Sequence, residues 1–133
     1  MKANELRIGN WIKYEDKLVQ VVQLSSLMIL CQRDENQFLV NCAPKVFQPI
    51  ELTEEVLVKI GFGKRNDCYT LSNEYIFFVY YKDSFKQELL ASVKRKGKYY
   101  YNTNELKNYD IKYLHQLQNA YYCLTGQELN IEL

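Results

Sequence analysis

His115 carries the only imidazole in the chain, so any acid–base or nucleophilic scheme that needs histidine has to use it. A histidine base works on a nucleophile within hydrogen-bond reach, about 2.6–3.2 Å away. Asn119 stands four positions after His115, and Cys123 stands eight after it, about two helical turns along nearly the same face. That is too far for a Cys–His hydrogen bond within one helix, and no Ser or Cys falls within one turn on the histidine's own face. Only tertiary folding can bring Cys31, Cys42 or Cys68 to the ring. The competing reading is structural: His115, Gln116, Gln118 and Asn119 are polar partners for buried backbone, or part of a contact surface.

Other chemistries fare worse. Glu54-Glu55 and Asp34-Glu35 are adjacent carboxylates, and neighbours in sequence do not point together on a helix. The first pair reads as a complement to a helix dipole and the second as a turn. Gly61-Phe62-Gly63-Lys64 lacks the flanking pattern of a phosphate loop, and no Ser or Thr follows Lys64. The cysteines Cys31, Cys42, Cys68 and Cys123 are spaced by 11, 26 and 55 positions without a C-x-x-C pair, which argues against a Cys/His metal site. They read as small apolar residues of a reducing compartment. No cofactor and no metal are expected.

One segment interleaves basic and aromatic residues: Lys94-Arg95-Lys96-Gly97-Lys98-Tyr99-Tyr100-Tyr101. Cations here suit phosphates, and exposed tyrosines stack on unpaired bases, so Lys94, Arg95, Lys96, Lys98, Tyr99 and Tyr101 are candidate contacts for single-stranded nucleic acid. The plainer reading is a solvated hairpin tip whose charges discourage aggregation.

These residues need elements to hold them. Short strands are expected at Asn10–Tyr14, Leu18–Leu24, Met28–Arg33 and Gln37–Asn41, joined by polar turns such as Glu15-Asp16 and Asp34-Glu35-Asn36. The double valine in Leu18-Val19-Gln20-Val21-Val22-Gln23-Leu24 implies burial on both faces or a bulge. With Val46–Ile50 as a fifth strand, this half has the count and spacing of a small SH3-like barrel or an open meander. Thr53 to Phe62 predicts a two-turn helix: Thr53 caps it, Glu54 and Glu55 favour the dipole, Leu52 staples onto Leu57, and Gly61 closes it. Strands follow at Cys68–Leu71, Tyr75–Tyr81, Glu88–Val93 and Lys98–Asn102, the aromatic Tyr75–Tyr81 run being central and covered on both faces. Ile111, Leu114, Leu117, Tyr121 and Leu124 recur at spacings of three and four, one apolar stripe that should face the sheet, on a helix with Asp110 as its cap and Gly126 beyond its end.

The whole is α+β: an N-terminal antiparallel barrel or meander, then an antiparallel sheet packed by one short and one longer helix. A length of 133 residues fits one domain, 1–133, with subdomains at 1–50 and 51–133. Twelve Tyr and six Phe against five Gly and two Pro favour strands over loops. The net charge is +1, which leaves no global field to steer the chain toward nucleic acid or membrane. Locally, residues 94–112 hold six basic and two acidic residues, net +4. No apolar run approaches the roughly 18–20 residues that span a bilayer, and the start lacks a signal peptide, so the expectation is a cytoplasmic protein without membrane contact.

Three segments, Asn4-Glu5-Leu6-Arg7-Ile8-Gly9-Asn10-Trp11-Ile12, Pro49-Ile50-Glu51-Leu52-Thr53-Glu54-Glu55 and Leu114-His115-Gln116-Leu117-Gln118-Asn119-Ala120-Tyr121-Tyr122 with Leu124-Thr125-Gly126-Gln127-Glu128-Leu129, resemble a group of small uncharacterised proteins of gut anaerobes and their phages and prophages. The resemblance implies a phage or mobile-element setting and carries no activity or catalytic residue with it. The expectation is therefore a non-enzymatic accessory protein that binds another protein, such as a host factor, with Trp11, Tyr14 and His115 among its candidate contacts. The alternative is a single-stranded nucleic-acid-binding module built on the 94–101 hairpin.

Overall fold

The computed structural model describes residues 1–33, 38–66, 68–72, 76–82, 87–95, 98–101 and 111–133. The fold is α+β and divides into two compact units, one made of Met1–Glu51 with Tyr113–Ala120 and the other of Leu52–Lys112 with Tyr121–Leu133. No helix of the described residues is long and apolar enough to cross a membrane.

The first unit is built on alternation. Strands β1 (Trp11–Tyr14), β2 (Lys17–Leu24), β3 (Ile29–Arg33) and β4 (Phe38–Cys42) form an antiparallel sheet in the order β1-β2-β3-β4. Every second residue turns inward, so Ile12, Val19, Val21, Ile29, Cys31 and Val40 make one core with Leu6 and Phe47. Glu15 and Asp16 join β1 to β2 with φ of 46° and 63°. Positive φ at both central residues is the turn whose twist matches the strands it joins. Pairing jumps from Val21↔Cys31 to Gln23↔Leu30, so Val22 is the extra residue of a bulge where the double valine stands.

The fifth strand expected over Val46–Ile50 does not form. Pro44–Val46 takes a single 3-10 turn, and only Gln48 pairs, exchanging backbone bonds of 2.8 and 2.9 Å with Lys13. Pro44 sets the first turn residue, and Pro49 has no N–H with which to continue a ladder. No sheet closes on itself among the described residues, so the first half is an open meander with one bridge at its β1 edge in place of a closed SH3-like barrel.

In the second unit, helix α1 (Glu54–Lys59) carries the punctuation expected of it. Val56 N–H donates to Thr53 Oγ1 at 3.3 Å, and Glu55 pairs with Lys59 at 3.0 Å. At the other end Phe62 N–H reaches Leu57 O at 2.9 Å and Gly61 N–H reaches Val58 O at 3.1 Å, with Gly61 at φ 101°. Leu52, Leu57, Ile60 and Phe62 are buried. A Cβ at Gly61 would lie 3.4 Å from Leu71 Cδ1 on a backbone conformation that L residues rarely adopt. Gly61→Ala is expected to lower stability by about 1 kcal/mol, read as a fall in urea midpoint at constant slope.

A five-stranded antiparallel sheet follows: β5 (Gly63–Arg65), β6 (Cys68–Ser72), β7 (Ile76–Lys82), β8 (Gln87–Arg95) and β9 (Lys98–Tyr101), in that order. β7 is central, as the aromatic run predicts. β5 has no counterpart in the expected elements, because a glycine and two exposed cations show no apolar periodicity. Tyr80 is buried, and its hydroxyl donates to Ile111 O at 2.9 Å.

The last helix, α2, spans Leu114–Thr125 rather than starting near Asp110, which lies outside the described residues. Ile111 and Lys112 are not helical, and Lys112 O accepts Leu52 N–H at 2.9 Å. The helix starts where Tyr113 N–H donates to Gln116 Oε1 at 3.1 Å, the reach-back half of a capping box. Gly126, at φ 70°, ends it. The apolar stripe is shared out rather than given to one sheet, Leu114 and Leu117 belonging to the first unit and Tyr121 and Leu124 to the second.

Candidate functional site: a polar clamp and an outward sheet face

Gly9 takes φ 94°, and this lets Arg7–Asn10 close a tight turn in which Asn10 N–H donates to Arg7 O at 3.1 Å. The Asn10 side chain is fully buried in that turn: Oδ1 accepts Arg7 N–H at 2.7 Å, and Nδ2 donates to Asn119 Oδ1 at 3.0 Å. Asn119 Nδ2 in turn donates to Glu5 O at 3.1 Å. Beside it, Gln118 Oε1 accepts Trp11 N–H at 2.9 Å, while Gln118 Nε2 and Gln20 Nε2 both donate to Gly9 O at 3.1 Å. Two adjacent amides of α2 thus clamp the backbone from Glu5 to Trp11. The role expected of Gln118 and Asn119, partners for buried backbone, is the one these bonds describe.

His115 stands on the same helix three residues before Gln118. It is 1% exposed, neither ring nitrogen has a hydrogen-bond partner among the described residues, and its ring stacks on Tyr113 at 5.8 Å and 9°. Burial pushes its pKa below the ordinary histidine value, Glu5 pulls it back up, and the N-terminal ammonium lowers it further. The ring is neutral near pH 7 and works as an apolar disc. Burial, helped by neighbouring Cys42, holds the Cys31 thiol up at about 12, so Cys31 is a neutral packing group.

The opposite face of the first sheet has a different character. Register aligns Trp11, Gln20, Gln32 and Leu39 in one row across β1 to β4, and Gln23, Leu30 and Asn41 in another. These residues alternate with the inward core positions and so project outward. Leu39 is 57% exposed, and at the β2–β3 turn Leu27 and Met28 are 77% and 39% exposed. Ser25 holds that turn: its Oγ accepts Met28 N–H at 2.9 Å and donates to Met28 O at 3.0 Å. An open cavity of about 130 Å³ lies there, lined by Gln23, Leu24, Ser25, Met28, Leu30 and Asn41.

Of the contacts expected from sequence, Trp11 is half-buried on this outward side. Tyr14, three residues on, turns to the other face, where its ring meets Phe47 at 5.7 Å and 49° and Glu15 raises the pKa of its hydroxyl. The two do not share a surface. In the second unit β8 and β9 pair as the expected hairpin, Lys94 opposite Tyr99, Arg95 opposite Lys98 and Ser92 opposite Tyr101, while Lys96 lies outside the described residues. Reasoning from sequence passed over Leu39, Gln20 and Gln32. Their signal was present in the strand alternation, but seeing them as one row requires the register. Neither a family model, nor a curated protein, nor a solved structure matches the chain.

Proposed function

We propose that this chain is a non-enzymatic accessory protein of a phage or mobile element, working in the cytoplasm by binding another protein through the outward face of its four-stranded sheet. The observation that carries the reading is the composition of that face. Trp11, Leu30 and Leu39 offer apolar area, Asn41 offers an exposed neutral amide, and among the described strand residues of that face Lys13, at the β1 edge, is the cation. A core depleted in charge and anchored by an aromatic is what distinguishes a contact surface from the rest of a protein's exterior.

The test is capture of binding proteins by the tagged chain and by a Trp11→Ala, Leu39→Ala double variant of matched stability. Loss of a central aromatic anchor is expected to weaken binding about thirtyfold or more, equivalent to at least about 2 kcal/mol. A partner retained in full by the double variant would contradict the assignment. Tyr14→Ala, on the core side, is expected to lower stability instead.

A second reading, a single-stranded nucleic-acid module, draws its support from the β8–β9 register that pairs Lys94 with Tyr99 and Arg95 with Lys98. Polarisation of labelled single strands against salt tests it. Removing Lys94, Arg95, Lys96 and Lys98 should flatten the slope, and an unchanged slope would end this reading.

A further inference from the structure

We infer that β4 is a docking edge: an extended, uncharged segment of a partner protein adds to it as the next strand and seats one aliphatic side chain in the cavity lined by Met28, Leu30 and Asn41. The inference rests on the protein-binding reading above and names the part of the surface that would do the recognising.

Among the described residues β4 is hydrogen-bonded to β3 alone, so its other side presents an unfilled row of backbone donors and acceptors. Strand edges are ordinarily protected by charge, proline, shortness or cover. The β1 edge carries the Gln48 bridge, and the two edges of the other sheet are short and carry charge, β5 with Lys64 and Arg65 and β9 with Lys98. Phe38-Leu39-Val40-Asn41-Cys42 contains no charged residue and no proline.

The cavity supplies the selectivity that backbone bonds lack. Asn41 is an outward residue of β4 and lies opposite Leu30, and both line the cavity. On an added strand, the residue opposite Asn41 would project on this same face with its Cβ about 5 Å away. A volume of about 130 Å³ is close to the ~150 Å³ that admits a benzene-sized group, so a Leu, Ile or Met side chain fits. Leu24, Met28 and Leu30 give the lining its apolar part, and Gln23, Ser25 and Asn41 are neutral, so a charged side chain would find no counter-charge there.

A second copy of the chain is the weaker occupant. Pairing β4 with β4 engages five residues a side, against the roughly 20–30 of a standard stable interface. A partner peptide needs less, because main-chain bonds give affinity and one pocket gives choice.

The experiment selects random dodecapeptides displayed on phage against the immobilised full chain, then measures synthetic peptides by fluorescence polarisation. Peptides with aliphatic residues at alternate positions are expected to emerge. They should lose binding about tenfold or more on Leu39→Lys or Asn41→Lys, both exposed positions, and keep it on Ser26→Lys in the exposed turn. Peptides indifferent to Asn41→Lys, or no enriched peptide, would overturn the docking edge. So would a concentration-dependent dimer abolished by Asn41→Lys, which would assign the edge to a second copy. A protein partner lost on Trp11→Ala with no edge-dependent peptide would overturn this inference and leave the binding reading standing, whereas failure of that reading appears separately, as the absence of any protein partner.

Discussion

Gln118→Leu is expected to lower the stability of the protein by about 2–3 kcal/mol, measured as the shift in urea midpoint at constant slope. The replacement is close in volume, so the loss does not come from a cavity. It comes from Trp11 N–H, which loses its acceptor at 2.9 Å, and from Gly9 O, which loses one of its two amide donors. A buried donor left unmade costs about 1–3 kcal/mol, more than an ordinary hydrogen bond contributes. Gln20→Leu is the matched comparison. It removes only the other donor to Gly9 O, which Gln118 still satisfies, and should cost less than about 1 kcal/mol. Equal losses for the two variants would mean that α2 does not hold the Glu5–Trp11 backbone in the way the hydrogen bonds indicate.

The second large effect is on pH dependence. His115 is buried with no hydrogen-bond partner among the described residues, and its folded pKa lies below the ordinary value of about 6.5. Below that pH the unfolded ring binds a proton that the folded ring does not, so the unfolded state holds more protons and stability falls as pH falls. The loss is absent above about pH 7 and grows below pH 6.5 by at most about 1.4 kcal/mol per unit, ending where the folded ring itself titrates. Glu5 limits the effect because it attracts the imidazolium, and the N-terminal ammonium works the other way. His115→Leu removes this proton linkage while carboxylates titrate in both proteins. Between pH 7.5 and 5.5 the wild type should therefore lose more stability than the variant in urea unfolding, by no more than about 1.4 kcal/mol. Parallel loss in both would contradict a buried neutral imidazole.

Local signals were the legible ones. The whole of α1 could be read from Thr53, Glu54, Glu55 and Gly61 because caps and the dipole act within one turn of the residues that make them. The hairpins of the first sheet were legible for the same reason, since alternation and the Glu15-Asp16 turn are neighbours in sequence. The fifth strand failed because apolar content at Val46, Phe47 and Ile50 counts as strand character, while two prolines decide the hydrogen bonding. The start of α2 was misplaced because Asp110 is a good cap by type, whereas Ile111–Tyr113 run beside Ile50–Leu52 instead, with a bridge between Glu51 and Tyr113. That pairing is set by residues some sixty positions apart.

The site was half legible. Gln118 and Asn119 stand out as polar residues on an otherwise apolar helix, which marks them as partners for backbone. That the backbone is Glu5–Trp11 does not follow, because Asn10 and Asn119 are 109 positions apart. Two of the segments that carried the resemblance, Asn4–Ile12 and Leu114–Tyr122, are the two sides of this clamp. Their joint presence records a folding contact, so they carry less information about activity than their specificity implies. The outward rows of the first sheet were not legible, because a one-residue change in register would regroup every side chain on that face.

The most direct test of the central claim is capture of the tagged chain from a bacterial lysate with and without nuclease, followed by identification of what co-purifies and repetition with the Trp11→Ala, Leu39→Ala variant. The account predicts a stoichiometric protein that survives nuclease and is lost from the variant. Nucleic acid, or proteins that vanish on nuclease treatment and ignore the double substitution, would contradict it and transfer the function to the Lys94–Tyr101 hairpin.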